Sequence, residues 1–139
     1  MLSNLALGKA GELRVASELL LRGQEVYFAV VDGGTDLILA TGKRIQVKAA
    51  KKRTNENHRT AYYFSFKSWR KKENKHTKHE LIGIDYVILW GIDEDIFLII
   101  PTEEVRGHYC VRFAPNNKRP HNKTSNYLQY INRWDLLDK

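Results

Sequence analysis

The stretch Asp36-Leu37-Ile38-Leu39-Ala40-Thr41-Gly42-Lys43-Arg44-Ile45-Gln46-Val47-Lys48 reads as two short strands around a tight turn. Side chains of a strand alternate between faces, so Gln46 and Lys48 share one face while Ile45 and Val47 share the other. Leu37 and Leu39 match Ile45 and Val47 as the apolar face. Asp36, Gln46 and Lys48 remain as a polar trio on the opposite side. Their convergence depends on register. A two-residue turn at Thr41-Gly42 would set Asp36 against Val47, on the wrong face. A three-residue turn over Ala40-Thr41-Gly42 sets Asp36 against Gln46, and Gly42 supplies the left-handed residue that such a turn needs. A slip of one residue would flip every side chain, so the three-residue turn is the expected one.

A carboxylate, an amide and an ammonium gathered on one small area match what metal-assisted phosphodiester chemistry needs. Plainer readings exist for each. Asp36 can simply bond the turn after Gly33-Gly34, and Gln46 and Lys48 can be the solvent face of an ordinary edge strand.

At 139 residues the chain is read as a single domain, 1–139, large enough for a core. The hydrophobic share is 42%, which excludes a disordered chain. One cysteine, Cys110, excludes an internal disulfide and leads us to expect a reducing, cytoplasmic setting. No apolar run approaches the ~18 residues that cross a bilayer. The amino-terminal Met1-Leu2-Ser3-Asn4 lacks the pattern of a signal peptide.

The net charge is +7, and it is concentrated. Thirteen of the 23 Lys and Arg, but only Glu56 and Glu73 among 16 acids, lie between Lys43 and His79. The rest of the chain is net acidic. A basic block that begins at the polar trio suggests a polyanionic partner, with a solvated loop as the alternative. Lys51, Lys52, Arg53 and Arg59 follow the trio directly. Lys67, Arg70, Lys71, Lys72, Lys75 and Lys78 belong to a stretch with neither helical nor strand period, expected to be a loop that is mobile over Arg70 to His79 when no DNA is bound. These ten are the expected DNA-contacting residues. Arg112, Lys118, Arg119, Lys123 and Arg133 either extend that surface or form a solvated face. Trp69 either stacks on a base or packs at the loop root. The five histidines show no convincing zinc spacing with Cys110.

Ser3 or Asn4 can cap a helix to about Arg22, stopped by Gly23. Leu5, Ala16 and Leu19 form its apolar stripe, widened by Val15 and Leu20. Glu12 lies in that stripe, a local conflict of the kind found at functional sites, unless it is partly exposed and paired with Lys9 or Arg14. Strands are expected at Glu25 to Val31, Ala61 to Phe66, Tyr86 to Trp90, Ile96 to Ile100 and Tyr109 to Phe113. Thr102 can cap a short helical turn, and Ser125 can cap a final helix bearing Leu128, Ile131 and Trp134 on one face. The order of elements implies an α/β or α+β fold, a mixed sheet with helices packed on it.

Gly11-Glu12 in the first helix, Asp36 at the second strand and Gln46-Val47-Lys48 in the third together resemble the PD-(D/E)XK nuclease superfamily. The likeness is nearest to small nucleases of the bacterial group I intron homing endonuclease type, which also use Gln in the (D/E)XK slot. The Gly8-Lys9-Ala10-Gly11-Glu12 start and the Asp85-Tyr86-Val87 lead fit as well, and the resemblance runs from about Gly8 to Val105. Thr35 stands where a proline precedes the acid, and Gln46 replaces a carboxylate.

The resemblance implies a restriction-endonuclease-like mixed central sheet flanked by helices, and a metal-dependent endonuclease acting on double-stranded DNA. It implies Glu12, Asp36, Gln46 and Lys48 as catalytic residues. Asp36, Glu12, the Val47 backbone carbonyl and Gln46 would hold Mg2+, with Mn2+ as a substitute. Lys48 would orient water and stabilise developing charge, staying protonated beside Asp36. Cutting a duplex with one site per chain implies a homodimer or homotetramer, for which the apolar final helix is one expected interface. A Holliday junction resolvase acting on branched DNA, or a non-catalytic nucleic-acid-binding module, are the alternatives.

Overall fold

Ser3 opens the helix α1 (Asn4–Leu21) as expected, its Oγ accepting from the Ala6 N–H at 3.1 Å. Gly23, at φ +84°, closes it: the Gln24 N–H reaches the Leu19 carbonyl and the Gly23 N–H that of Leu20, which satisfies two carbonyls the helix leaves unpaired. The buried face is Gly11, Val15, Ala16 and Leu19. Leu5 and Leu20, expected in the stripe, are 88% and 59% exposed. The stripe is thus narrower than the apolar residues alone suggest. These coordinates, a computed structural model, describe residues 3–30, 34–70, 75–78, 81–115 and 123–139, with the backbone alone at 67–70, 75–78 and 123–126.

The described strands are β1 (Val26–Phe28), β2 (Leu37–Leu39), β3 (Arg44–Ala50), β4 (Arg53–Thr54), β5 (Thr60–Ser65), β6 (Lys67–Arg70), β7 (Lys75–Lys78), β8 (Tyr86–Gly91), β9 (Ile96–Pro101) and β10 (Cys110–Phe113). The main sheet has the order β1-β2-β3-β8-β9, with β3 and β8 parallel and every other pair antiparallel. A smaller sheet, β10-β5-β4, covers one face of it, and among the described residues β6 and β7 pair with each other as a two-stranded ribbon. This is a mixed α+β fold.

The chain alternates between two cores. Ile45, Val47, Ile88, Phe97 and Ile99 face α1 through Val15, Ala16 and Leu19. Ala50, Val87, Leu89, Leu98 and Ile100 face Tyr62, Phe64, Phe66, Val111 and Phe113 of the smaller sheet. The period of two in β8 and β9 therefore fills both faces with apolar side chains. Each such burial stabilises by about 1.5–3 kcal/mol relative to exposure.

Gly11 lets α1 settle on β3. A Cβ there would lie 2.8 Å from the Ala49 Cβ and 3.6 Å from a Val47 methyl. The Ala49 Cβ is fixed to the sheet and cannot turn aside. We expect Gly11→Ala to lower stability, because overpacking costs about 1–3 kcal/mol and outweighs the roughly 1 kcal/mol of helix propensity gained. Thermal melting checks this, and a variant as stable as the parent would contradict the close approach.

Three expectations are corrected. The final segment is not an α-helix but two 3-10 stretches, Lys123–Tyr130 and Trp134–Asp138. Its Trp134 and Leu137 are buried against the core beside Phe97, and Ile131 pairs with Leu98, so these side chains pack on the main sheet. The Thr102 hydroxyl caps nothing: the turn Thr102–Glu104 has no side-chain cap, and that hydroxyl is buried without a partner. The stretch from Lys67, expected to be an irregular loop, forms the β6–β7 ladder with Lys67 opposite Lys78 and Arg70 opposite Lys75. Lys71 and Lys72 lie outside the described residues, as do the side chains of Lys67, Trp69, Arg70, Lys75 and Lys78. The expected mobility of Arg70 to His79 falls largely there too. No helix among the described residues is long and apolar enough to cross a membrane.

Candidate active site

The β2–β3 hairpin has the three-residue turn. Leu37 faces Ile45 and Ile38 faces Arg44, so Asp36, one residue beyond β2, comes level with Gln46. The Leu39 N–H donates to the Lys43 carbonyl, and Gly42 takes φ +92°. The apolar pair Leu37 and Ile45 is fully buried on the α1 side, which locks the register. Gln46 and Lys48 therefore face the smaller sheet, and the Lys48 Nζ lies 6.0 Å from the centre of the Phe66 ring.

Asp36 stands at the border between the two faces. Its Oδ2 accepts from the Val47 N–H at 2.8 Å, beyond the end of β2. The Asp36 N–H donates to the Ile45 carbonyl at 2.9 Å. The N–H and C=O of one strand residue point to the same side, so the Val47 carbonyl opens toward this border as well. Glu12, one residue after the close contact at Gly11, reaches the same place from α1. It is near enough to Asp36 to raise that carboxyl by charge and by a hydrogen bond. Lys9, one helical turn before, holds Glu12 with an ion pair of 2.8 Å. Glu12 is thus both paired with Lys9 and set against Asp36.

Burial raises the pKa of the Asp36 carboxyl to about 6. The Val47 N–H opposes that rise, the Glu12 charge adds to it, and the Lys48 ammonium pulls against it. Burial pushes Lys48 below its ordinary value, while Asp36 pushes it back up. Asp36 thus feels both the Glu12 carboxylate and the Lys48 ammonium within a partly dry border.

Gln46 is 4% exposed. Its Nε2 donates to the Gly34 carbonyl at 3.2 Å, while its Oε1 is buried without a partner. A buried acceptor left unpaired costs about 1–3 kcal/mol, a cost that a cation or a hydrogen-bond donor arriving at the site would remove. The donor half ties the hairpin to the bend before Asp36, where Gly34 takes φ +85°. A carboxylate at 46 could not donate there. We expect Gln46→Glu to lower the melting temperature, because the Gly34 bond is lost and a third acid is set beside Asp36. An unchanged melt would show that the bond holds nothing.

Among the described residues no group of three or more His, Cys, Asp or Glu gathers. The site instead offers two carboxylates, one orphaned amide oxygen and one backbone carbonyl. That donor set suits a hard cation that takes oxygen ligands and keeps several waters, as Mg2+ does.

The basic residues after β3 separate. Lys51 is exposed. Lys52 turns inward: it forms an ion pair with Glu94, lies over the Tyr62 ring, and its N–H donates to Asp93. Arg53 turns outward over Tyr63, and Arg59 sits exposed in the β4–β5 turn. The capture of Lys52 has a faint sequence signal, the acidic turn Asp93-Glu94-Asp95. The Gly34 carbonyl as partner of Gln46 has none, because it is a loop contact twelve residues away.

No protein-family model matches the chain, and no curated protein matches it. Among solved structures, the bacterial homing endonuclease I-Ssp6803I is similar over 97% of this chain and 93% of its own, with a TM-score of 0.78 and 17% sequence identity. The chain shares the fold of that endonuclease. MepB is similar over 83% of this chain and 94% of its own at 14% identity, with a TM-score of 0.49 that is too low to bear on the fold.

Proposed function

We propose that this protein is a metal-dependent endonuclease that hydrolyses phosphodiester bonds in double-stranded DNA. The observation that carries the reading is the meeting of Glu12, Asp36 and Lys48 at one border of the sheet, beside an unpaired Gln46 oxygen. The fold shared with a bacterial homing endonuclease supports it; the PD-(D/E)XK assignment, with Gln46 in the acid slot, is part of the proposal.

Asp36, Glu12, the Val47 carbonyl and the Gln46 Oε1 would hold Mg2+, or Mn2+ in its place. When bound, the cation supplies charge neutralisation on the phosphate and a more acidic water. Lys48 donates to the phosphate oxygen where negative charge grows as water attacks and the ester oxygen leaves. Its partly dry pocket strengthens that interaction relative to bulk water. Gln46 keeps the bend before Asp36 in place, and Lys9 holds the Glu12 carboxylate toward the site. Cutting both strands with one such site per chain requires two copies, so we propose a homodimer or homotetramer.

A nicking assay with Mg2+ or Mn2+ on supercoiled plasmid, linear duplex and four-way junction tests this reading. Metal-dependent cleavage of duplex is the expected result. Preference for the junction would indicate a resolvase, and binding without cleavage a non-catalytic module. Duplex binding should weaken steeply with salt, with a log–log slope of about −0.9 for each phosphate neutralised. A slope near zero would exclude the basic block as a DNA surface.

A further inference from the structure

The smaller sheet has an outer face that the active site does not use. Tyr63 of β5 and Arg112 of β10 are directly opposed, so they share a face. Tyr62 and Phe64, on either side of Tyr63, are buried in the core, which turns Tyr63 outward. Arg53 of β4 pairs with Ala61, two residues from Tyr63 along β5. The Arg53 guanidinium carbon lies 4.4 Å from the centre of the Tyr63 ring, and that of Arg112 lies 5.9 Å from it. The Arg112 Nε also donates to the Tyr63 hydroxyl at 3.4 Å. A groove of about 450 Å³ runs between Arg53, Tyr63 and the turn 54–57.

One ring thus holds two guanidinium groups. Arg53 and Arg112 come from the strands on either side of β5, and cation–π contact with the ring between them helps to hold each guanidinium. The ion pairs among the described residues are made by Lys9, Arg14, Arg22, Lys52, Arg106 and Arg133. Arg53 is in none of them, and neither is Glu56, the acid on the groove's border. A planar, charged, pre-ordered fork of this kind matches a phosphate better than a carboxylate-rich surface. With guanidinium groups over it, the Tyr63 ring serves as a holder for them rather than as a platform for a base, so the contact reads backbone and not sequence.

We infer that Arg53, Tyr63 and Arg112 form a phosphate clamp for DNA backbone that runs over the outer face of the smaller sheet, away from the cleaved bond; this rests on the endonuclease reading above. Tyr63 precedes Phe66 by three residues, and the Phe66 ring lies near the Lys48 Nζ. Side chains alternate along this strand, so Tyr63 points away from the Phe66 side and the clamp lies on the far face of the smaller sheet from Lys48. The clamp replaces Lys52, which is spent on Glu94, as the first phosphate contact after Lys51.

Fluorescence anisotropy with a labelled duplex in EDTA, across a salt series, tests the clamp without cleavage. Arg53→Ala and Arg112→Ala should each reduce the magnitude of the log–log slope by about 0.9. Tyr63→Ala should weaken binding with little change in slope, while Tyr63→Phe, which keeps the ring, should bind nearly as the parent does. Lys52→Ala should leave the slope unchanged and lower the melting temperature. If Tyr63→Ala does not fold, the two arginine variants decide. Slopes equal to the parent's in both arginine variants, with a reduced slope in Lys51→Ala, overturn the clamp and leave the endonuclease reading standing. A parent protein that binds no duplex at low salt overturns that reading itself.

Discussion

Lys48→Met should abolish metal-dependent cleavage and leave duplex binding close to that of the parent. Removing a single positioned donor from a transition state costs about 10²–10³ in rate, and Lys48 of β3 brings an ammonium to the Asp36 border on the side that faces the smaller sheet. Methionine keeps the long apolar stem and removes only the charge. Burial disfavours the charged form of Lys48, so the variant sheds a desolvated cation and should melt no lower than the parent. Lys48 also pulls the Asp36 carboxyl down, so its loss should raise that group further, which carboxyl-resolved NMR titration would read. Cleavage at the parental rate would exclude Lys48 from the chemistry. Lost binding would move it into the DNA-contacting set.

Asp36→Asn should also abolish cleavage, with an opposite signature in stability. The folded-state value of Asp36 is about 6, above the roughly 3.9 of an unfolded aspartate. The folded form therefore holds its proton more tightly, so stability falls as pH rises between those two values and stays reduced above them. Asparagine can still accept from the Val47 N–H and carries no charge toward Glu12. At pH 7.5 the variant should melt above the parent, and near pH 4 the advantage should vanish. Added Mg2+ should raise the melting temperature of the parent at pH 7.5 but not that of the variant, since a ligand stabilises only the state that binds it. The parent's response should fade below about pH 6, as Asp36 takes up its proton. A variant less stable than the parent at pH 7.5 would mean that Asp36 is held by favourable contacts rather than kept under strain.

The hairpin could be read from the chain because two independent signals agreed on it. Alternation in Leu37, Leu39, Ile45 and Val47 set the faces, and Gly42 set the turn length. The caps of α1 were equally local. What failed needed knowledge of neighbours. Leu5 and Leu20 have the right spacing for a stripe, but the sheet is too narrow to cover them. The Lys67 to Lys78 stretch has no apolar face because its ladder is a separate ribbon, so periodicity had nothing to detect. Leu128, Ile131 and Trp134 fit a helical face, yet the bridge at Ile131 and the break at Arg133 interrupt the run. At the site, Asp36, Gln46 and Lys48 followed from strand parity. The Lys52–Glu94 pair and the Gln46–Gly34 bond join segments that only the completed fold brings together.

Glu12 rides on α1, while Asp36 and Lys48 belong to the sheet, and the seam between them closes over one glycine. Warming that loosens this seam would separate the two acids while the strands stay paired. Heat inactivation should therefore begin below the main unfolding transition and reverse on cooling, with hydrogen exchange in the helix quickening before exchange in the strands.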